Sequence, residues 1–81
     1  MALSLVIVRP FSQETISVEW IKLETPAGNF VVGPGHVAFV NTLTPGSDIT
    51  YCTNGGQQTM PAGEEGCLVR GVPGTVTLIL R

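Results

Sequence analysis

Histidine, cysteine and the carboxylates do most protein chemistry near neutral pH, and this chain holds few of them in useful company. Its one histidine, His36, sits in the corner Gly33-Pro34-Gly35-His36-Val37. Nucleophilic catalysis needs a nucleophile, a base and usually an orienting acid. Around His36 the acid would be Asp48 or a glutamate with a nearby Ser or Cys, and no spacing marks such a set. Cys52 and Cys67 have neither Cys-x-x-Cys spacing nor a neighbouring histidine, whereas a transition-metal centre usually takes three or four His, Cys or carboxylate ligands. Both read as small hydrophobes in a reducing compartment, with a disulfide open only if their strands pair. Glu64-Glu65 reads as a solvated turn, because adjacent side chains point apart. The glycine-rich stretches lack the Lys-Ser/Thr of a phosphate loop, and no helical pattern follows them. The expectation is a chain that holds rather than reacts, with no catalytic, metal or cofactor site.

The elements that would position such a corner are short strands. Turn signals at Pro10, Pro26-Ala27-Gly28, Gly33-Pro34-Gly35, Pro45-Gly46, Asn54-Gly55-Gly56, Pro61-Ala62-Gly63 and Pro73-Gly74 separate β-rich runs. Strands are expected at Leu3–Val8, Ile16–Glu24, Phe30–Val32, Val37–Asn41, Asp48–Thr53, Gln57–Met60, Cys67–Arg70 and Thr75–Leu80. The last alternates cleanly, with Val76, Leu78 and Leu80 towards a core and Thr75, Thr77 and Ile79 away from it. The second breaks its period, since Val18, Ile21 and Leu23 cannot share one face under strict alternation, and a bulge near Glu19 or Trp20 is the economical explanation. Trp20 then stands outside the Val18, Ile21 and Leu23 set, as a cover over one end of the core or as a partner anchor. Ten glycines and six prolines argue against helix. The fold class expected is all-β: one domain over 1–81, a small sandwich or flattened barrel of about eight to ten mostly antiparallel strands.

Eighty-one residues bury only roughly 60 to 65% of the surface that the unfolded chain exposes, so the fold has little margin. Charged residues make up 12% of the chain, about half the usual share. That shortage leaves two readings: a surface of Thr, Ser, Gln and Asn, or a surface partly covered by a partner. A net charge of −2 from six acidic and four basic residues gives no footprint for nucleic acid or anionic lipid. The apolar opening, Met1 to Val8, is too short for a secretory or membrane segment and is interrupted by Arg9-Pro10. A cytoplasmic location, or one peripheral on the cytoplasmic face of a membrane, is expected. The low charge also makes self-association an expectation when the chain is isolated.

Several segments together resemble one family. They are Ile7-Val8-Arg9-Pro10, then Val18 with Ile21 and Leu23, then Thr25-Pro26-Ala27-Gly28-Asn29-Phe30. Most specific are Gly33-Pro34-Gly35-His36 and, at the right spacing, Leu43-Thr44-Pro45-Gly46. Glu65-Gly66-Cys67-Leu68-Val69 and Val76 to Leu80 extend the match. The chain resembles the N-terminal β-sandwich domain of the epsilon subunit of rotary F-type ATP synthases, called delta in mitochondria. The resemblance implies a non-catalytic rotor subunit of the central stalk, docking the gamma subunit to the c-ring for proton- or sodium-driven ATP synthesis. It implies a c-ring interface at Asn29, Gly33, Pro34, Gly35, His36 and Val37, and a gamma interface at Arg9, Asn41 and Thr42.

The sequence also departs from that family. Gly33 stands where a bulky residue usually precedes Pro-Gly-His, Phe11 where a Glu often follows the Pro, and Glu65-Gly66 where Gly-Gly is usual. Ending at Arg81, the chain lacks the family's C-terminal helical hairpin, so the docking module without its regulatory activity is expected. Two alternatives remain at this stage: a divergent orphan sandwich that binds elsewhere, and a small cupin-like barrel, which would want several histidines on paired strands.

Overall fold

A computed structural model describes residues 3–35, 38–64 and 67–80. The nine strands are β1 (Leu3–Arg9), β2 (Ser12–Val18), β3 (Trp20–Thr25), β4 (Gly28–Val32), β5 (Phe39–Leu43), β6 (Asp48–Thr53), β7 (Gly56–Pro61), β8 (Cys67–Val72) and β9 (Thr75–Leu80). They form a five-stranded sheet in the order β2-β1-β9-β8-β5 and a four-stranded sheet in the order β4-β3-β6-β7. Every pairing is antiparallel except that of β1 with β9. The described residues contain no helix. The all-β sandwich read from the turn spacing is the fold observed.

The core lies between the sheets. Leu3, Leu5, Ile7, Val18, Val69, Val76 and Leu78 reach it from one side, and Ile21, Leu23, Val32 and Ile49 from the other. In β9 the expected alternation holds, with Val76 and Leu78 buried and Ile79 exposed. At about 2 kcal/mol for each large aliphatic side chain removed from water, these residues are the main favourable term in folding. Thr25 is the buried polar residue among them, and its Oγ1 donates to the Gly28 carbonyl at 2.8 Å.

The phase break at Glu19 has a different cause from the bulge expected. The run Ile16–Glu24 is two strands in two sheets: β2 ends at Val18 beside β1, and β3 starts at Trp20 beside β6. Glu19 is the bend between them, and its N–H donates to the Cys52 carbonyl at 2.7 Å. A chain that crosses from one sheet to the facing one must turn its apolar side around, and this shifts the period as a bulge would. Trp20, alternating with buried Ile21, consequently lies half-buried on the outer face and does not cover an end of the core.

Turn chemistry holds the two ends of the sandwich. At Thr44-Pro45-Gly46-Ser47 the Ser47 N–H donates to the Thr44 carbonyl at 3.1 Å with Gly46 at φ 76°, the conformation that a type II turn after proline requires and glycine adopts freely. The Ser47 hydroxyl adds a 2.6 Å bond to the same carbonyl. Gly46 N–H donates to Gly63 and Ala62 N–H to Ser47, each at 2.9 Å, so the turn also clasps the segment that follows β7.

Candidate functional site

The register lays out two outer faces of different chemistry. On the four-stranded sheet the outward rows are Val31–Lys22–Thr50–Thr59 and Trp20–Cys52–Gln57, with Asn29 opposite Glu24 at one end. This face is largely polar. On the five-stranded sheet the rows are Gln13–Val8–Ile79–Leu68–Thr42, Thr15–Val6–Thr77–Arg70–Val40 and Ser17–Ser4–Thr75–Val72, polar along β2 and carrying apolar side chains on the other strands. Val40 is 69% exposed, Leu68 and Ile79 40% each and Val72 37%. Val6 and Val8 are half-buried beside them. The low charge thus corresponds to a polar outer face on one sheet and exposed apolar side chains on the other.

The connections also define two ends. The bend at Glu19, the corner Gly33 to Gly35, the Asn54-Gly55 turn and the Pro73-Gly74 turn share one end. Pro10-Phe11, Pro26-Ala27, Pro45-Gly46 and the segment after β7 share the other. Phe11 is fully exposed in its turn. Gly35 has φ 83°, which fits the third position of a type II turn begun by Gly33-Pro34. Pro34 faces Glu19 and the Asn54-Gly55 turn across an open groove of about 670 Å³. His36 and Val37 lie outside the described residues, as does Glu65 of the Glu64-Glu65 pair; Glu64 is exposed.

The described residues matched to the ring side fall in two places on the same strand and its end. Gly33, Pro34 and Gly35 sit together at the corner, whereas Asn29 lies four residues up β4, about 13 Å away along an extended strand. Those matched to gamma all belong to the five-stranded sheet. Thr42 is on its outer face; Asn41, alternating with it, turns its side chain inward along the β5 edge, where Oδ1 accepts from the Thr42 N–H at 2.9 Å. Asn41 thereby occupies a backbone donor of an edge strand, a device that discourages unwanted strand pairing. Arg9 stands at the end of β1, about 14 Å across the sheet from Thr42 at the usual strand spacing, and its Nη1 lies 3.8 Å from Glu14 Oε1.

The cysteines lie on different sheets: Cys52 is on β6 and Cys67 on β8, strands that do not pair, and both are free thiols. Cys52 Sγ donates to Glu19 Oε2 at 3.6 Å. Desolvation, then that hydrogen bond and the carboxylate charge, push the Cys52 thiol above its ordinary value. Burial likewise raises Cys67. Among the described residues no three His, Cys, Asp or Glu side chains converge on a point.

The apolar rows of the five-stranded face were not singled out by the residue reading. A signal was available: β1 is apolar in both phases, which a strand covered on both sides shows.

No protein-family model matches this chain, and no curated protein matches it in sequence. Its fold matches solved structures. One is a chain of the Tetrahymena thermophila mitochondrial ATP synthase central stalk and c-ring structure, with a TM-score of 0.74 and 11% identity. Another comes from the Euglena gracilis mitochondrial ATP synthase OSCP/F1/c-ring structure in rotational state 1, with a TM-score of 0.85 and 22% identity. Each match covers 98% of this chain, and it spans 63% of the Tetrahymena chain and 50% of the Euglena chain. At these identities the likeness is one of fold: this sandwich is similar to chains found in mitochondrial ATP synthase structures.

Proposed function

We propose that this chain is the epsilon-type sandwich of a rotary F-type ATP synthase, a non-catalytic rotor part that joins a gamma subunit to the c-ring. In this reading the apolar outer face of the five-stranded sheet lies on gamma. The end carrying Gly33 to Gly35 and Asn54-Gly55 points to the polar loops of the ring, and the chain sits peripherally on the membrane's cytoplasmic face. A stiff two-sheet body between those contacts passes ring rotation to gamma without slip. The observation that carries the reading is the asymmetry of the outer faces, polar on one sheet and apolar on the other, in a fold shared with ATP synthase chains.

The test is titration of purified gamma subunit from the same organism with the wild-type chain and with the double variant Leu68→Asp, Ile79→Asp. Both side chains are on the outer face, so the variant keeps its fold, which the melting curve checks. Two lost apolar contacts and two carboxylates set against an apolar surface are expected to weaken binding at least roughly 30-fold. Unchanged affinity would remove the face from the interface.

A further inference from the structure

Among the described outward residues of the five-stranded face, one is charged. Arg70 lies in the row Val6–Thr77–Arg70–Val40, with Leu68 and Val72 two residues to either side along β8. It is exposed, and its guanidinium makes no hydrogen bond or ion pair among the described residues. The acidic side chains of the described residues lie elsewhere: Glu14 beside Arg9, Glu19 at the bend, Glu24 and Asp48 on the other sheet, Glu64 in a turn at the far end. A chain of net charge −2 thus places on this face one cation among its described residues. Beside Arg70 is a recess of about 300 Å³ lined by Ala38, Phe39, Val40, Gly71 and Val72.

We infer that this face recognises a protein surface carrying one carboxylate, which pairs with Arg70, next to a bulky apolar side chain that fills the recess between Val40 and Val72. The inference rests on the reading of this face as the gamma-docking surface and names the chemistry that gamma must present there. Docking over an unpaired guanidinium leaves a buried charge without a partner, a costly outcome unless the incoming surface supplies the anion. The planar fork of arginine holds a carboxylate bidentately and so fixes the rotation of one body on the other. That is the property a rotor joint needs. A second copy of this chain is disfavoured as occupant, because a two-fold contact through the middle of the face sets Arg70 against Arg70.

The experiment measures gamma binding by the wild-type chain and by Arg70→Gln and Arg70→Glu, at low and at moderate salt, with melting curves as the fold control. Loss of one charge-assisted pair is expected to weaken binding by roughly tenfold in Arg70→Gln, and further in Arg70→Glu. Wild-type affinity falls as salt rises, and this dependence flattens in Arg70→Gln. In an Arg70→Lys variant, carbodiimide coupling is expected to join residue 70 to an Asp or Glu of gamma, mapped by mass spectrometry. Wild-type binding with Arg70→Glu within twofold of it overturns this inference alone. Absence of gamma binding by every form, the wild type included, overturns both it and the docking reading.

Discussion

Replacing Gly71 with alanine tests how tightly the β5 end of the sandwich is packed. Gly71 faces the core opposite Phe39, and an added Cβ would stand 2.1 Å from Phe39 Cε1, 2.5 Å from Cδ1 and 2.7 Å from Cζ. Carbon atoms pack at about 3.5 to 4.0 Å, so the ring must retreat by well over an ångström. It is not free to do so, because Phe39 meets Phe30 edge-on with ring centroids 5.8 Å apart and planes at 87°. Overpacking costs about 1 to 3 kcal/mol, and loss of the aromatic pair about 0.5 to 1.5 kcal/mol. Relief from a strand glycine returns about 0.5 to 1 kcal/mol. The net expectation is a destabilisation of about 2 kcal/mol, or a fall in Tm of roughly 10 °C for a domain of this size. Urea unfolding of Gly71→Ala, Phe39→Ala and the double variant gives the coupling. With the ring removed, Gly71→Ala is expected to be neutral or stabilising. An equal cost of Gly71→Ala in both backgrounds would refute the steric argument.

Two further expectations concern single side chains. Cys52 should alkylate slowly at pH 8, since desolvation and Glu19 favour the protonated thiol and only the thiolate reacts; Glu19→Gln removes the carboxylate, shifts the rate profile towards lower pH and raises the rate at pH 8, and an unchanged profile would remove Glu19 as a cause. His36→Ala is expected to leave the melting curve intact and weaken retention of a gamma-bound chain on detergent-purified c-ring, with unchanged retention counting against a ring contact at that residue.

Local chemistry made much of the fold legible. The Pro-Gly pairs fall in the turns observed, β9 alternates as read, and Val18, Ile21 and Leu23 are all core. The first half of β2, Ser12 to Thr15, carries no apolar residue to announce a strand; it is held by pairing with β1. At Glu19 the period reports a change of phase and nothing of its cause, so a sheet crossing and a bulge look alike. The exposed apolar face was hidden for a related reason. Val40, Leu68 and Ile79 are remote in sequence and become neighbours only through the β5–β8–β9 register. Asn29 and the Gly33 corner, close in sequence, are separated by the length of β4. Family resemblance marks residues one at a time, while a contact patch belongs to a folded surface.

The most direct test of the rotor reading is purification of an affinity-tagged form of this chain from gently solubilised membranes of its own organism, followed by quantitative mass spectrometry. Gamma and c-ring subunits are expected in fixed stoichiometry with the chain, one copy of it per gamma. Intact ATP synthase that runs separately from the tagged chain would contradict it.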